Sequence, residues 1–269
     1  MFRMILLLSA LAMSVLLITN SLGKESKKIA ENPAYITKHY TKKSDNCRSN
    51  TENDACAVIT IHYPRFIAML GRRSAQQLNH YLEAEHISIV NADNSKTMGV
   101  VDFAQKFIDD YVEYIKDNQA TSGNWEQSKK IQVVFLNKKV LSLQDDEDGY
   151  TGGAHGFSKR RLTSLDLQTG KELELDDILF KTKHRKLVRI AEQHFRKLHN
   201  ISRSTSLEKA GFDFDKNQFV LNKNFAVLKK GIVFYYNSYE IAAYVMGATQ
   251  LFIPYEALVG VVDTQRIGL

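Results

Sequence analysis

An α+β fold, with two or three amphipathic helices packed on an antiparallel sheet, is what the patterning of this 269-residue chain predicts. Short β-branched and apolar runs, bounded by turn residues, recur along the whole length and read as strands. Two longer segments instead repeat apolar residues at three- and four-residue steps, the period of a helix with one buried face. No internal repeat, Pro-rich linker or low-complexity tract divides the chain, which has only three prolines.

The N-terminus is read as an export signal. Arg3 precedes an apolar run from Ile5 to Ile18, broken only by Ser9 and Ser14, and the small residues Ser21 and Gly23 follow. The run is short for a membrane span, so residues 1–23 are expected to be a cleaved signal peptide. The expected location is the periplasm or the outside of a bacterial cell envelope. Membrane attachment is expected only if the signal stays uncleaved.

Residues 24–55 are polar and are expected to form a loose N-terminal segment. Residues 56–160 and 161–269 are expected to form two parts of one compact module. Cys47 and Cys56 are the two cysteines. In an oxidising compartment they are expected to pair. A loop this short stabilises by about 2.5–3 kcal/mol on the chain-entropy account.

Residues 57–63 read as a strand ending at Pro64. Ser74 reads as the N-cap of a helix reaching about residue 85, with 87–90 as its last turn or a short extension. A second helix is expected over 100–116, with Val101, Ala104, Ile108, Tyr111, Val112 and Ile115 as its buried stripe. Strands at 130–136 and 140–143 flank a turn at 137–139. A loop is expected over 145–156, then a strand over 161–167 and a turn at 168–170. A helix over 183–199 buries Leu187, Ile190, Ala191, His194, Phe195 and Leu198. The C-terminal part reads as strands at 219–221, 226–228, 231–236 and 249–253, with a hairpin turn at 229–231.

The formal net charge of +6 is modest and its charges are mixed, so nucleic acid is not an expected partner. The eight histidines form no His-Glu-x-x-His motif, and no nucleophile elbow or phosphate-binding glycine loop is present. No cofactor and no metal are therefore expected. The acidic run Asp145, Asp146, Glu147, Asp148 lacks the alternating ligand order of an EF-hand and reads as a solvated hairpin tip. The chain is not expected to be an enzyme. The alternative is a peptidoglycan hydrolase using His155 with one of those acids.

Two features suit binding. One is the stretch Thr151, Gly152, Gly153, Ala154, His155 and Gly156, whose glycines let a partner approach closely. A tight turn with His155 bonded to neighbouring backbone is the competing reading. The other is the tyrosine-rich C-terminus, where Tyr244 and Tyr255 are the binding candidates.

Residues 150–156 followed by 165–180 resemble the junction of the paired domains DUF4163 and DUF3298. Residues 231–247 and then 251–255 are similar to the signature of the second domain. The resemblance spans about residues 57–262. Relatives in this family include lysozyme-sensing anti-sigma factors of the RsiV type, whose extracellular module binds lysozyme, and domains attached to peptidoglycan deacetylases. The resemblance implies recognition of a lysozyme-like muramidase, as an inhibitor or immunity protein, or of peptidoglycan itself. By position it implicates Thr151, Gly152, Gly153, Ala154, His155 and Tyr244. Ala243 stands where the family often has proline. Only Met1 to Met4 precede the apolar run, so no cytoplasmic sigma-binding segment is expected, nor a deacetylase catalytic domain.

Overall fold

Hydrogen-bonded strands account for most of the β-branched runs. The computed structural model describes residues 34–45, 47, 56–90, 94–118 and 123–269. The signal reading of residues 1–23 lies outside them. In chain order the elements are β1 (Tyr35–Lys43), β2 (Ala57–Phe66), α1 (Ala75–His86), β3 (Ser88–Val90), β4 (Lys96–Met98), α2 (Val100–Asp117), β5 (Trp125–Leu136), β6 (Val140–Tyr150) and β7 (Phe157–Asp166). Then follow α3 (Leu175–Ile178), α4 (His184–Leu198), β8 (Phe225–Val227), β9 (Gly231–Tyr236) and β10 (Thr249–Pro254), with a 3₁₀ turn at Tyr244–Met246. Among the described residues no helix is long and apolar enough to cross a membrane.

A five-stranded sheet runs in the order β1-β2-β5-β6-β7, and a three-stranded sheet in the order β10-β9-β8. All pairings are antiparallel except β2 with β5. The α+β class is as expected. The one parallel pair arises because α1, the β3–β4 hairpin and α2 form a crossover between β2 and β5.

Several elements differ from the sequence reading. Part of the polar segment is a strand: β1 pairs along its whole length with β2, because Tyr35, Ile36, Thr37, Tyr40 and Thr41 suit a pleated surface despite the surrounding lysines. β2 runs through Pro64, which is tolerated because pairing with β5 stops at His62. In α2 the buried stripe uses Val100 and Phe107, whereas Val101 and Val112 are exposed. Residues 219–221 lie outside any strand.

The acidic run is the most instructive difference. It is part of β6, not a solvated tip. Asp145, Asp146 and Glu147 face Ile131, Lys130 and Lys129 on β5, and Arg161, Arg160 and Lys159 on β7. Basic neighbours on the flanking strands, invisible in local spacing, let this run extend as a central strand.

Two cores form. α1 and α2 cover one face of the large sheet, where Leu78, Leu82, Ala104 and Tyr111 meet Ile59, Ile61 and Leu143. Ser74 caps α1 through a reciprocal pair with Gln77, at 3.1 and 3.0 Å. α4 covers the small sheet. Its Phe195 is fully buried and lies 4.8, 5.6 and 5.2 Å from the rings of Phe212, Phe214 and Phe219. Truncating such a residue to alanine costs about 3–5 kcal/mol.

The small sheet is joined to the other face of β6 and β7. Ser142 Oγ donates to the Val227 carbonyl at 2.7 Å, and Val227 N–H donates to Ser164 Oγ at 2.9 Å. Side-chain amides cover the free edge of β7: Asn224 and Asn237 both donate to the Arg160 carbonyl, at 2.8 and 3.1 Å. Arg160 itself pairs with Asp146 at 2.5 Å and lies over the Tyr235 ring at 4.7 Å. This docking holds the tip of the β6–β7 hairpin beside the Tyr244–Met246 turn.

Candidate functional site

The hairpin tip is built on glycine. Gly152 and Gly153 have φ of +88° and +95°, a region that side chains disfavour. A Cβ on Gly156 would lie 2.7 Å from the Gly149 carbonyl oxygen, so only glycine allows that approach. Tyr150 Oη donates to the Gly153 carbonyl at 2.9 Å. His155 Nδ1–H donates to the Gly156 carbonyl at 2.8 Å. The tight turn and an exposed His155 are thus both present. Gly153 and Ala154 are also exposed, and Thr151 and Gly152 are half-buried.

Two of the candidates meet. The His155 ring stacks on Tyr244 with centroids 4.8 Å apart and planes 19° apart. Tyr244 also stacks on Tyr239, at 5.2 Å and 27°. The three rings join the hairpin tip to the segment after β9. Tyr239 holds φ of +69°, an uncommon conformation for a bulky residue, and is 65% exposed. Next to the stack, Val245 is 90% exposed and Met246 is half-exposed. An apolar, stiff and prominent surface of this kind suits recognition.

Tyr255 is placed differently. It packs against the core of the small sheet, and its hydroxyl donates to the Leu228 carbonyl at 3.1 Å. Burial pushes its phenol well above the usual tyrosine range. The sequence reading counted Tyr239 in the tyrosine-rich C-terminus without choosing it as a contact, and it missed Val245 and Met246. Their only local signal is the Asn237-Ser238 pair that begins the turn.

A second group lies in the stem of the hairpin, under the end of α1. His86 Nδ1 is 3.1 Å from Asp145 Oδ2. Lys129 Nζ is 2.9 Å from Asp145 Oδ1 and 3.1 Å from Glu147 Oε2. His86, Lys129 and Asp145 are all buried. A cavity of about 160 Å³ opens beside them, lined also by Lys159 and Arg161. Burial pushes the Asp145 carboxyl upward, but the His86 hydrogen bond and the Lys129 charge outweigh it, and the net position is below the usual range. His86 Nε2 has no hydrogen-bond partner. Cys47 and Cys56 form the expected disulfide. Among the described residues no group of three or more His, Cys, Asp or Glu could hold a metal ion.

Comparison with known proteins identifies two segments. Residues 49–158 match the family model "Deacetylase PdaC". A search of characterised proteins finds the peptidoglycan-N-acetylmuramic acid deacetylase PdaC of Bacillus subtilis, 26% identical over 169 residues; this is 61% of the chain but 36% of the relative. The chain therefore spans about a third of that relative's length. These matches overturn the expectation that the chain is not an enzyme, because they point, distantly, to an enzyme family. The physical reason for the misjudgement is that the expectation rested on the absence of local catalytic motifs. Residues that only folding brings together carry no local motif, so that absence could not exclude an enzyme.

Residues 176–256 match DUF3298, described as a protein of unknown function. A crystal structure of a DUF3298 family member from Bacteroides fragilis superposes with a TM-score of 0.66 at 22% identity, covering 87% of this chain and 96% of that one. Another from Pseudomonas aeruginosa gives 0.62 at 19% identity, covering 86% and 96%. Residues 176–256 thus match the DUF3298 model, and the chain has the fold of the solved DUF3298 proteins.

Proposed function

We propose that this chain works in the bacterial cell envelope by recognising a lysozyme-like muramidase, and that the surface made by His155, Tyr244, Tyr239 and Val245 is its contact. The observation that carries the reading is the three-ring stack. Two neighbours already engage the Tyr244 ring, so it acts as a fixed wall, and the adjoining Val245 and Met246 offer flexible apolar surface. Stiff aromatic anchors beside exposed aliphatic groups are the composition of protein–protein hot spots. The resemblance to lysozyme-sensing modules and the similarity to a peptidoglycan-modifying protein both fit. With the tip in the cleft of the muramidase, substrate is excluded and the result is inhibition or immunity.

The test is capture and inhibition across a panel of purified muramidases, with the chain, its Tyr244→Ala variant and its Val245→Glu variant. Tight capture by the parent and at least about 30-fold weaker capture by both variants is expected, the loss of a hot-spot contact. No capture across the panel overturns the reading.

A second reading is direct binding of peptidoglycan glycan, favoured by the similarity to a protein named for acting on N-acetylmuramic acid in peptidoglycan. Co-sedimentation with purified sacculi separates the two, since only this reading requires it.

A further inference from the structure

On the exposed face of β1 and β2, His39 and His62 stand directly opposite one another in the strand register. Ile59 and Ile61 point into the core beneath α1 and α2, so alternation along β2 turns Thr60 and His62 to the other face. His39 Nδ1 lies 3.2 Å from His62 Nε2 and 3.4 Å from its Nδ1, with ring centroids 4.5 Å apart. Thr41 Oγ1 lies 2.9 Å from His39 Nε2. With Nε2–H donating to Thr41, the lone pair of His39 is on Nδ1 and faces His62.

We propose that His39 and His62 form a two-imidazole site for a borderline divalent cation, copper(II) ahead of zinc(II), with water completing the coordination. Two imidazole nitrogens bound side by side to one ion, each at about 2.0–2.1 Å, stand roughly 2.8–3.4 Å apart between the tetragonal and tetrahedral angles. The 3.2 Å separation here falls in that range. Thr41 supplies the outer hydrogen bond that fixes ring and tautomer in most histidine ligands. The regular pairing of β1 with β2 keeps the two rings opposed, so little ordering is left for the ion to do. Copper(II) leads because affinity at nitrogen sites rises along the divalent series to copper. Lys130, across from His62 on β5, is the repulsive charge beside the site.

Untagged protein titrated with copper(II) chloride and, separately, zinc sulfate tests the proposal by calorimetry and thermal unfolding. The expected result is one copper ion per chain, weaker zinc binding, a raised midpoint of unfolding and reversal by a chelator. His39→Ala and His62→Ala each abolish this, and Thr41→Val weakens it by about 10-fold or more. Lys130→Gln tightens it. Circular dichroism confirms that the variants, all on an exposed face, are folded. Absence of binding to the parent up to millimolar metal overturns the proposal. So does binding that survives both histidine substitutions.

Discussion

The stem and the tip of the β6–β7 hairpin are adjacent in sequence and opposite in character. In the stem, charges turn inward: Asp145 is buried against Lys129 and His86. At the tip, rings turn outward: His155 and Tyr244 stack in the open beside Val245. Buried ion pairs are poor at adding net stability, but they punish any change to one member. Exposed rings are cheap to remove from the fold and costly to remove from an interface. The hairpin therefore keeps its rigidity in the stem and its recognition at the tip.

The largest effect expected is on the stem. Lys129→Met leaves Asp145 buried without its cation and lowers unfolding free energy by about 3–5 kcal/mol, measured by urea denaturation. A loss below about 1 kcal/mol would show that the stem is not the rigid half. At the tip, Tyr244→Ala weakens partner capture by about 2 kcal/mol or more and changes stability far less. Equal losses of both would erase the distinction.

Acid should act on the stem. Asp145 has a folded-state pKa below its unfolded value of about 3.9. Its stabilisation is fully present above about pH 4 and is lost as pH falls through the lower folded value. Asp145→Asn should flatten that acid limb in a stability-versus-pH series and leave the midpoints of capture at the tip unmoved. The smallest effect is at Tyr239. Asn tolerates positive φ better than tyrosine does, so Tyr239→Asn should alter stability by less than about 0.5 kcal/mol. A larger destabilisation would mean that the ring supports the fold as well as the surface.

The sequence alone made the helices and most strands legible because their buried faces repeat with the right period. Ser74 announced α1, and 231–236 and 249–253 announced the small sheet closely. The acidic strand was not legible: its neutralising partners sit on β5 and β7, and only pairing reveals them. For the same reason the sequence could offer His155 and Tyr244 as candidates but not their contact, which depends on docking through Arg160, Asn224 and Asn237. Tyr239 was hidden further, because a left-handed tyrosine has no local signature.

The parallel pairing of β2 with β5 has a consequence in time. Every other neighbouring pair in the large sheet is also consecutive in the chain order of the strands, but Ala57 meets Trp125 only across α1, β3, β4 and α2. Closing so long a loop costs more chain entropy than closing a short one, and long-range pairing of this kind slows folding. The β5–β6–β7 meander can assemble early as a local unit, whereas β1 and β2 must wait to be added at its side. Weakening the seam at Ile59 or Ile61 should slow refolding, and the order of assembly is then set by one junction in the sheet.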